Sequence, residues 1–180
     1  MEWATELRYK RYEDWTEEEK KQIKENVAKS PWHTHYHVEP TSGLLNDPNG
    51  FSYFDGKWIL FYQNFPFGAA HGLKSWVQLE SDDLVHFNET GVKVFPDTPL
   101  DSHGAYSGSA MQFDDKLFLF YTGNVRDENW IRHPYQVGAL MDKEGKIEKI
   151  NKILIDQPAD STDHFRDPQI FKFKGQYYAI

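Results

Sequence analysis

Phe54-Asp55-Gly56-Lys57-Trp58-Ile59-Leu60-Phe61-Tyr62 returns as Phe113-Asp114-Asp115-Lys116-Leu117-Phe118-Leu119-Phe120-Tyr121, and again as Phe173-Lys174-Gly175-Gln176-Tyr177-Tyr178-Ala179-Ile180. Each copy reads as the end of one strand, a tight turn and an aromatic-rich second strand; Asp55-Gly56 is a strong hairpin signal. The phenylalanines are separated by 113 − 54 = 59 and 173 − 113 = 60 residues. A second landmark keeps the interval, since the turn acids Asp82 and Asp142 are also 142 − 82 = 60 apart. A period this long, holding several short strands, is that of a propeller blade, a four-stranded sheet repeated around an axis. Strands are expected near 50–54, 58–63, 74–80 and 92–95 in the first unit. The second unit places them near 107–113, 117–122, 135–141 and 147–150, and the third begins near 168. Propellers close with roughly 4–8 blades. Two units and part of a third leave an unpaired edge at Tyr177–Ile180, which folded proteins avoid. The chain is therefore expected to be the N-terminal part of a longer all-β protein.

Composition narrows the function. Net charge is −8 and the basic residues are scattered, so no stripe suited to nucleic acid exists. No apolar run approaches the roughly 20 residues of a membrane helix. The charged N-terminus, Met1-Glu2-Trp3-Ala4-Thr5-Glu6-Leu7-Arg8, lacks a signal-peptide core. The absence of cysteine excludes disulfides and thiolate-bound zinc. A cytoplasmic location fits these features. Aromatic residues make up 16% of the chain, enough to supply both a core and flat faces for sugars.

Residues 1–31 are expected to form a helical extension, with the propeller region at 32–180. One helix is predicted over 14–29, where Thr16 and Glu19 match a capping box and Ser30-Pro31 ends the pattern. His33, His35 and His37 alternate, as three side chains on one face of an extended strand would. No carboxylate spacing completes a metal set around them, so edge packing is the expected role and no metal is assigned.

Two acids stand before proline at equivalent places in the repeat, Asp47 in Asn46-Asp47-Pro48-Asn49-Gly50 and Asp167 in Arg166-Asp167-Pro168. The second unit offers Tyr106-Ser107-Gly108-Ser109 in the same place. Alone, each is ordinary turn sequence. In a propeller, all three fall on innermost strands that line one central funnel. Two carboxylates facing a polyhydroxylated ligand are the groups that glycoside hydrolysis requires. Gln63 adds an amide with both donor and acceptor, and Trp76, Phe65 and Tyr106 are candidate stacking surfaces.

These motifs resemble glycoside hydrolase family 32, the β-fructofuranosidases. Leu44-Leu45-Asn46-Asp47-Pro48-Asn49-Gly50, Tyr106-Ser107-Gly108-Ser109-Ala110 and Phe165-Arg166-Asp167-Pro168 are similar to three family motifs in order and spacing. Gly68-Ala69-Ala70-His71-Gly72-Leu73-Lys74-Ser75-Trp76 and Tyr121-Thr122-Gly123-Asn124-Val125-Arg126-Asp127 resemble the bacterial branch acting on sucrose 6-phosphate. The resemblance implies a five-bladed β-propeller, of which this chain covers about two and a half blades, followed by a β-sandwich. It implies retaining cleavage of sucrose 6-phosphate or sucrose without metal or organic cofactor, with a small sugar as partner. Asp47 would be the nucleophile and Asp167 a stabiliser holding fructose hydroxyls. Leu44, Leu45, Asn46, Gln63, Trp76, Tyr106, Ser107 and Arg166 would line the sugar subsite. The family's acid/base is a glutamate in a Glu-Cys pair after the Arg-Asp-Pro motif. This chain has no cysteine and ends 180 − 167 = 13 residues after Asp167, so it is expected to lack that group and to be inactive alone. The same residues also fit a non-catalytic carbohydrate-binding propeller or a fructosyltransferase.

Overall fold

A computed structural model describes residues 2–180. Two antiparallel four-stranded sheets follow one another, each a simple up-and-down meander. The first contains β1 (Leu44–Phe54), β2 (Lys57–Phe65), β3 (Ser75–Ser81) and β4 (Asn88–Val94). The second contains β5 (Ala105–Phe113), β6 (Lys116–Arg126), β7 (Arg132–Met141) and β8 (Ile147–Ile155). β9 (Ile170–Phe173) and β10 (Gln176–Ala179) form a further hairpin beside β5. This is the predicted all-β blade repeat. The three recurring frames are the three hairpins, closed at Phe54↔Lys57, Phe113↔Lys116 and Phe173↔Gln176. Asp55 and Gly56 both have positive φ, 47° and 82°, as the right-handed twist of a two-residue hairpin requires.

The blades pack through one apolar core. Phe54, Phe61, Trp76 and Val94 of the first meet Leu117, Leu119, Tyr121, Val137 and Met141 of the second. Hydrogen bonds between blades repeat as the sequence does. Trp76 Nε1 donates to the Tyr106 carbonyl at 2.9 Å, and 60 residues on, Gln136 Nε2 donates to the Phe165 carbonyl at 2.9 Å. Asn49 Oδ1 accepts from Gly108 N, and its counterpart Ser109 Oγ accepts from Ile170 N, both at 2.9 Å. Each blade therefore seats the innermost strand of the next with buried, satisfied polar groups.

Several elements depart from the sequence expectation. β1 begins at Leu44, so Asn46-Asp47-Pro48 lies inside the strand. Proline is tolerated there because β1 is the edge strand of its sheet and is bulged at this point. The long helix, α2 (Glu17–Ala28), starts at Thr16 rather than residue 14 and carries the predicted capping box: Glu19 N donates to Thr16 Oγ1 and Thr16 N to Glu19 Oε2. Trp15 instead leaves the helical path to stack on Phe67, with centroids 4.3 Å apart and planes 5° from parallel. A short helix α1 (Thr5–Arg8) and a 3-10 turn (Tyr12–Asp14) precede it. Trp3, Leu7, Tyr12 and Ile23 close over Trp15, Phe65 and Phe67, which fixes the extension to the first blade.

The histidine segment forms no strand. Glu39 accepts from Thr34 N, Thr34 Oγ1 and the His33 ring, while the other His33 nitrogen faces the Val27 carbonyl. These local bonds curl residues 33–39 away from the extended form, and His35 and His37 are exposed. Among the described residues no group of three His, Asp or Glu side chains has metal-binding geometry.

Candidate active site

Asp47, Ser107 and Asp167 stand at intervals of 60 residues (107 − 47 and 167 − 107), one per blade. In the first two blades the innermost strand is bulged at that point. The β1–β2 register shifts between Leu45 and Pro48, and the β5–β6 register between Ala105 and Gly108. A bulge adds a residue on one strand and turns its side chain out of the normal alternation. Asp47 and Ser107 thereby meet across the blade boundary, with Ser107 Oγ donating to Asp47 Oδ2 at 2.6 Å. The contact depends on Gly108, where a Cβ would lie 2.1 Å from the Phe120 carbonyl oxygen. In the third unit Asp167 takes a left-handed conformation, φ 65°, held by its N–H donating to Thr122 Oγ1 at 2.9 Å. An aspartate tolerates that region better than most residues.

A chain of side-chain hydrogen bonds supports Asp47. Asn46 Nδ2 donates to Gln63 Oε1 at 2.8 Å, and Gln63 Nε2 donates to Ser107 Oγ at 2.5 Å. Ser107 is thus committed as a donor toward Asp47. Gln63 is buried on β2, and both ends of its amide are used, which fixes its rotamer. Asn46 Oδ1 is buried without a partner, an acceptor left over beside the carboxylate.

Charges converge on the same place. Arg166 Nε lies 3.6 Å from Asp167 Oδ2. Burial raises the Asp167 carboxyl above its ordinary value, and the Asp47 charge adds to the rise against the pull of Arg166, Lys74 and Arg132. Lys74 is 6% exposed, and burial brings its ammonium down to about 8, although Asp47 and Asp167 pull it up. Lys74 in turn lowers His71. Tyr106 is buried beneath these cations, with Lys74 Nζ 5.5 Å and Arg132 Cζ 5.8 Å from its ring centroid.

The structure therefore brings together Asp47, Asn46, Gln63, Ser107, Tyr106, Arg166 and Asp167. It corrects the role of the remaining aromatics. Trp76 and Phe65 are 0% exposed and belong to the apolar clusters, so neither presents a face to a ligand. Leu44 and Leu45 are half-buried and pack into the clusters of Phe67 and of Tyr62 with Val77, which supports the strand under Asp47. Sequence reasoning missed Lys74, although one signal was available. It is the lone cation between Leu73 and Trp76, in a run that enters a strand buried almost throughout.

Bladed sheets whose innermost strands deliver acids and amides to one centre define the class as a β-propeller with a funnel site. The N-terminal domain of glycosyl hydrolases family 32 matches residues 37–180, and the chain belongs to that family. It supplies two blades and the first hairpin of a third of the five-bladed N-terminal propeller. It is 72% identical to the sucrose-6-phosphate hydrolase of Streptococcus mutans over 174 residues, which are 97% of this chain and 36% of that protein. Against the sucrose-6-phosphate hydrolase of Bacillus subtilis it is 41% identical over 97% of the chain and 35% of the relative. The solved sucrose-6-phosphate hydrolase of Lactobacillus gasseri superposes with a TM-score of 0.96 at 51% identity, covering 99% of this chain and 36% of that one. A mutant Bombyx mori β-fructofuranosidase solved with sucrose gives a TM-score of 0.74 at 30% identity, over 92% of this chain and 36% of that one. The chain thus spans about a third of the length of the relatives it matches.

Proposed function

We propose that this chain builds part of the catalytic funnel of a retaining β-fructofuranosidase that cleaves sucrose 6-phosphate or sucrose. One observation carries the reading: the hydrogen-bonded line Asn46–Gln63–Ser107–Asp47 crosses a blade boundary to orient the exposed Asp47 carboxylate, whose charge acts on that of Asp167. A nucleophile needs one oxygen fixed and the other free to attack. Ser107 occupies Oδ2 of Asp47, which leaves Oδ1 for the anomeric carbon of the fructosyl unit. As that bond forms, the bond to the leaving oxygen breaks, and a separate acid protonates that oxygen. The family resemblance assigns this acid to a glutamate in a Glu-Cys pair that follows the Arg-Asp-Pro motif. Water then gives its proton to that same group, now a base, attacks the same carbon, releases Asp47 as the carboxylate, and restores the original configuration after two inversions.

Asp167 serves as a hydroxyl acceptor in this scheme. Its raised protonation range and its contact with Arg166 suit a group that grips the fructosyl ring rather than one that attacks it. Gln63 and Asn46 supply further polar contacts, and Tyr106 a wall. A cytoplasmic location belongs to the same proposal, since a phosphorylated sugar does not cross a bilayer unaided.

The test is a product assay on a protein carrying this chain at the full length of its relatives. Fructose should be released in its β-furanose form, with glucose 6-phosphate or glucose as the other product. Sugar binding without turnover would establish the non-catalytic reading instead, and fructosyl oligomers at high sucrose would establish a transferase.

A further inference from the structure

Lys74 is the most heavily buried cation of the site, yet among the described residues its ammonium makes neither an ion pair nor a hydrogen bond. Its backbone is fixed on both sides. Leu73 N donates to the Arg8 carbonyl at 2.8 Å, and the Lys74 carbonyl accepts from Ala105 N at 2.9 Å. The side chain lies over the ring of Tyr106, the residue preceding Ser107. The charged groups that act on it are Asp47, Arg166 and Asp167, and it acts on His71, which also lies near Arg8. A lysine placed only to balance the two acids would sit in contact with one of them. The residue is buried, yet Nζ is not sealed among the fully buried unpartnered atoms, so a ligand can reach the ammonium.

We propose that Lys74 holds the phosphate of a phosphorylated fructoside, so that it selects the phosphomonoester over the neutral sugar. The inference rests on the proposed function and adds its specificity determinant. The ammonium is a compact donor suited to a phosphate dianion. The ring of Tyr106 holds the ammonium through its face, and the nearby Arg166 adds a second positive charge that favours an anionic ligand over a neutral one.

The experiment compares kcat/KM for sucrose 6-phosphate with kcat/KM for sucrose in a full-length protein carrying this chain. Lys74→Met keeps the side-chain length and removes the charge, so it suits a buried position. Losing one charge-assisted contact should lower the ratio of the two values by about 10- to 100-fold, and Lys74→Arg should restore part of it. An equal fall for both sugars would make Lys74 a mere balance for the carboxylates, and an unchanged ratio would leave it without a role in selection; either result overturns the inference. A wild-type protein that cleaves neither sugar overturns the underlying function as well.

A second measurement needs no variant. Glucose 6-phosphate should inhibit sucrose cleavage more strongly than glucose does, and the advantage should fade as pH rises through about 8, where Lys74 loses its proton. Inhibition by inorganic phosphate would show that the phosphate group is held by itself, and inhibition by glucose 6-phosphate alone that the sugar is needed too. Equal inhibition by glucose and glucose 6-phosphate contradicts the proposal.

Discussion

Trp76 separates a packing role from a sugar-binding one, and Trp76→Phe measures the difference. The indole is 0% exposed, stands 5.5 Å from Phe61 and 5.7 Å from Tyr121 by ring centroid, and donates to the Tyr106 carbonyl at 2.9 Å. Phenylalanine removes the donor and leaves a buried carbonyl unpaired, at a cost of about 1–3 kcal/mol. It also leaves a small cavity. Full truncation of a buried Trp or Phe to Ala costs about 3–5 kcal/mol, so the smaller change adds about 1 kcal/mol. The expected total is roughly 2–4 kcal/mol. Thermal unfolding or urea titration of the full-length protein reads it as a fall in Tm of several degrees or a lower midpoint. The KM for sugar should change little, since no face of the ring meets a ligand. A KM raised tenfold or more with an unchanged Tm would refute this reasoning and make Trp76 a stacking platform.

The acids and glycine of the site give further predictions. Asp167→Asn should stabilise the protein at neutral pH while lowering kcat/KM by at least about tenfold, the worth of a charged acceptor on a sugar hydroxyl. The sign follows from the raised carboxyl. Its protonated form is favoured by the fold, so wild-type stability is fullest below the ordinary 3.8 and falls as pH rises through the folded value. The gain in the asparagine variant should therefore grow over that window; a loss of stability at neutral pH would contradict it. Gly108→Ala should lower stability by about 1–3 kcal/mol, because the new Cβ would meet the backbone of Phe120 and Tyr121 rather than a movable side chain. Wild-type stability and activity in that variant would remove the close blade contact from the account.

Much of this site was legible because its construction is periodic. The interval of 60 residues carried Asp47, Ser107 and Asp167 to equivalent strands, and the Asp55-Gly56 turn set the hairpin register. Thr16 and Glu19 marked the helix start through local bonds that no distant contact overrides. Other features depend on neighbours that a sequence pattern does not contain. Pro48 reads as a strand breaker until β1 is known to be a bulged edge. Trp76 and Phe65 read as aromatic surfaces until the adjoining blade and the N-terminal extension cover them. The three histidines alternate as in a strand, yet among the described residues no strand pairs with them and Glu39 gathers their backbone into a bend. Lys74 drew no role from the sequence because its burial is a property of the packed blades.

The central claim is that Asp47 forms the covalent bond. A full-length protein carrying this chain, incubated with a slowly cleaved fructosyl donor and quenched in acid, should yield a peptide spanning Asn46–Pro48 that bears one fructosyl unit. Asp47→Asn should lose both the adduct and turnover while keeping its fold. An adduct on Asp167, or near-wild-type turnover by Asp47→Asn, would contradict the account.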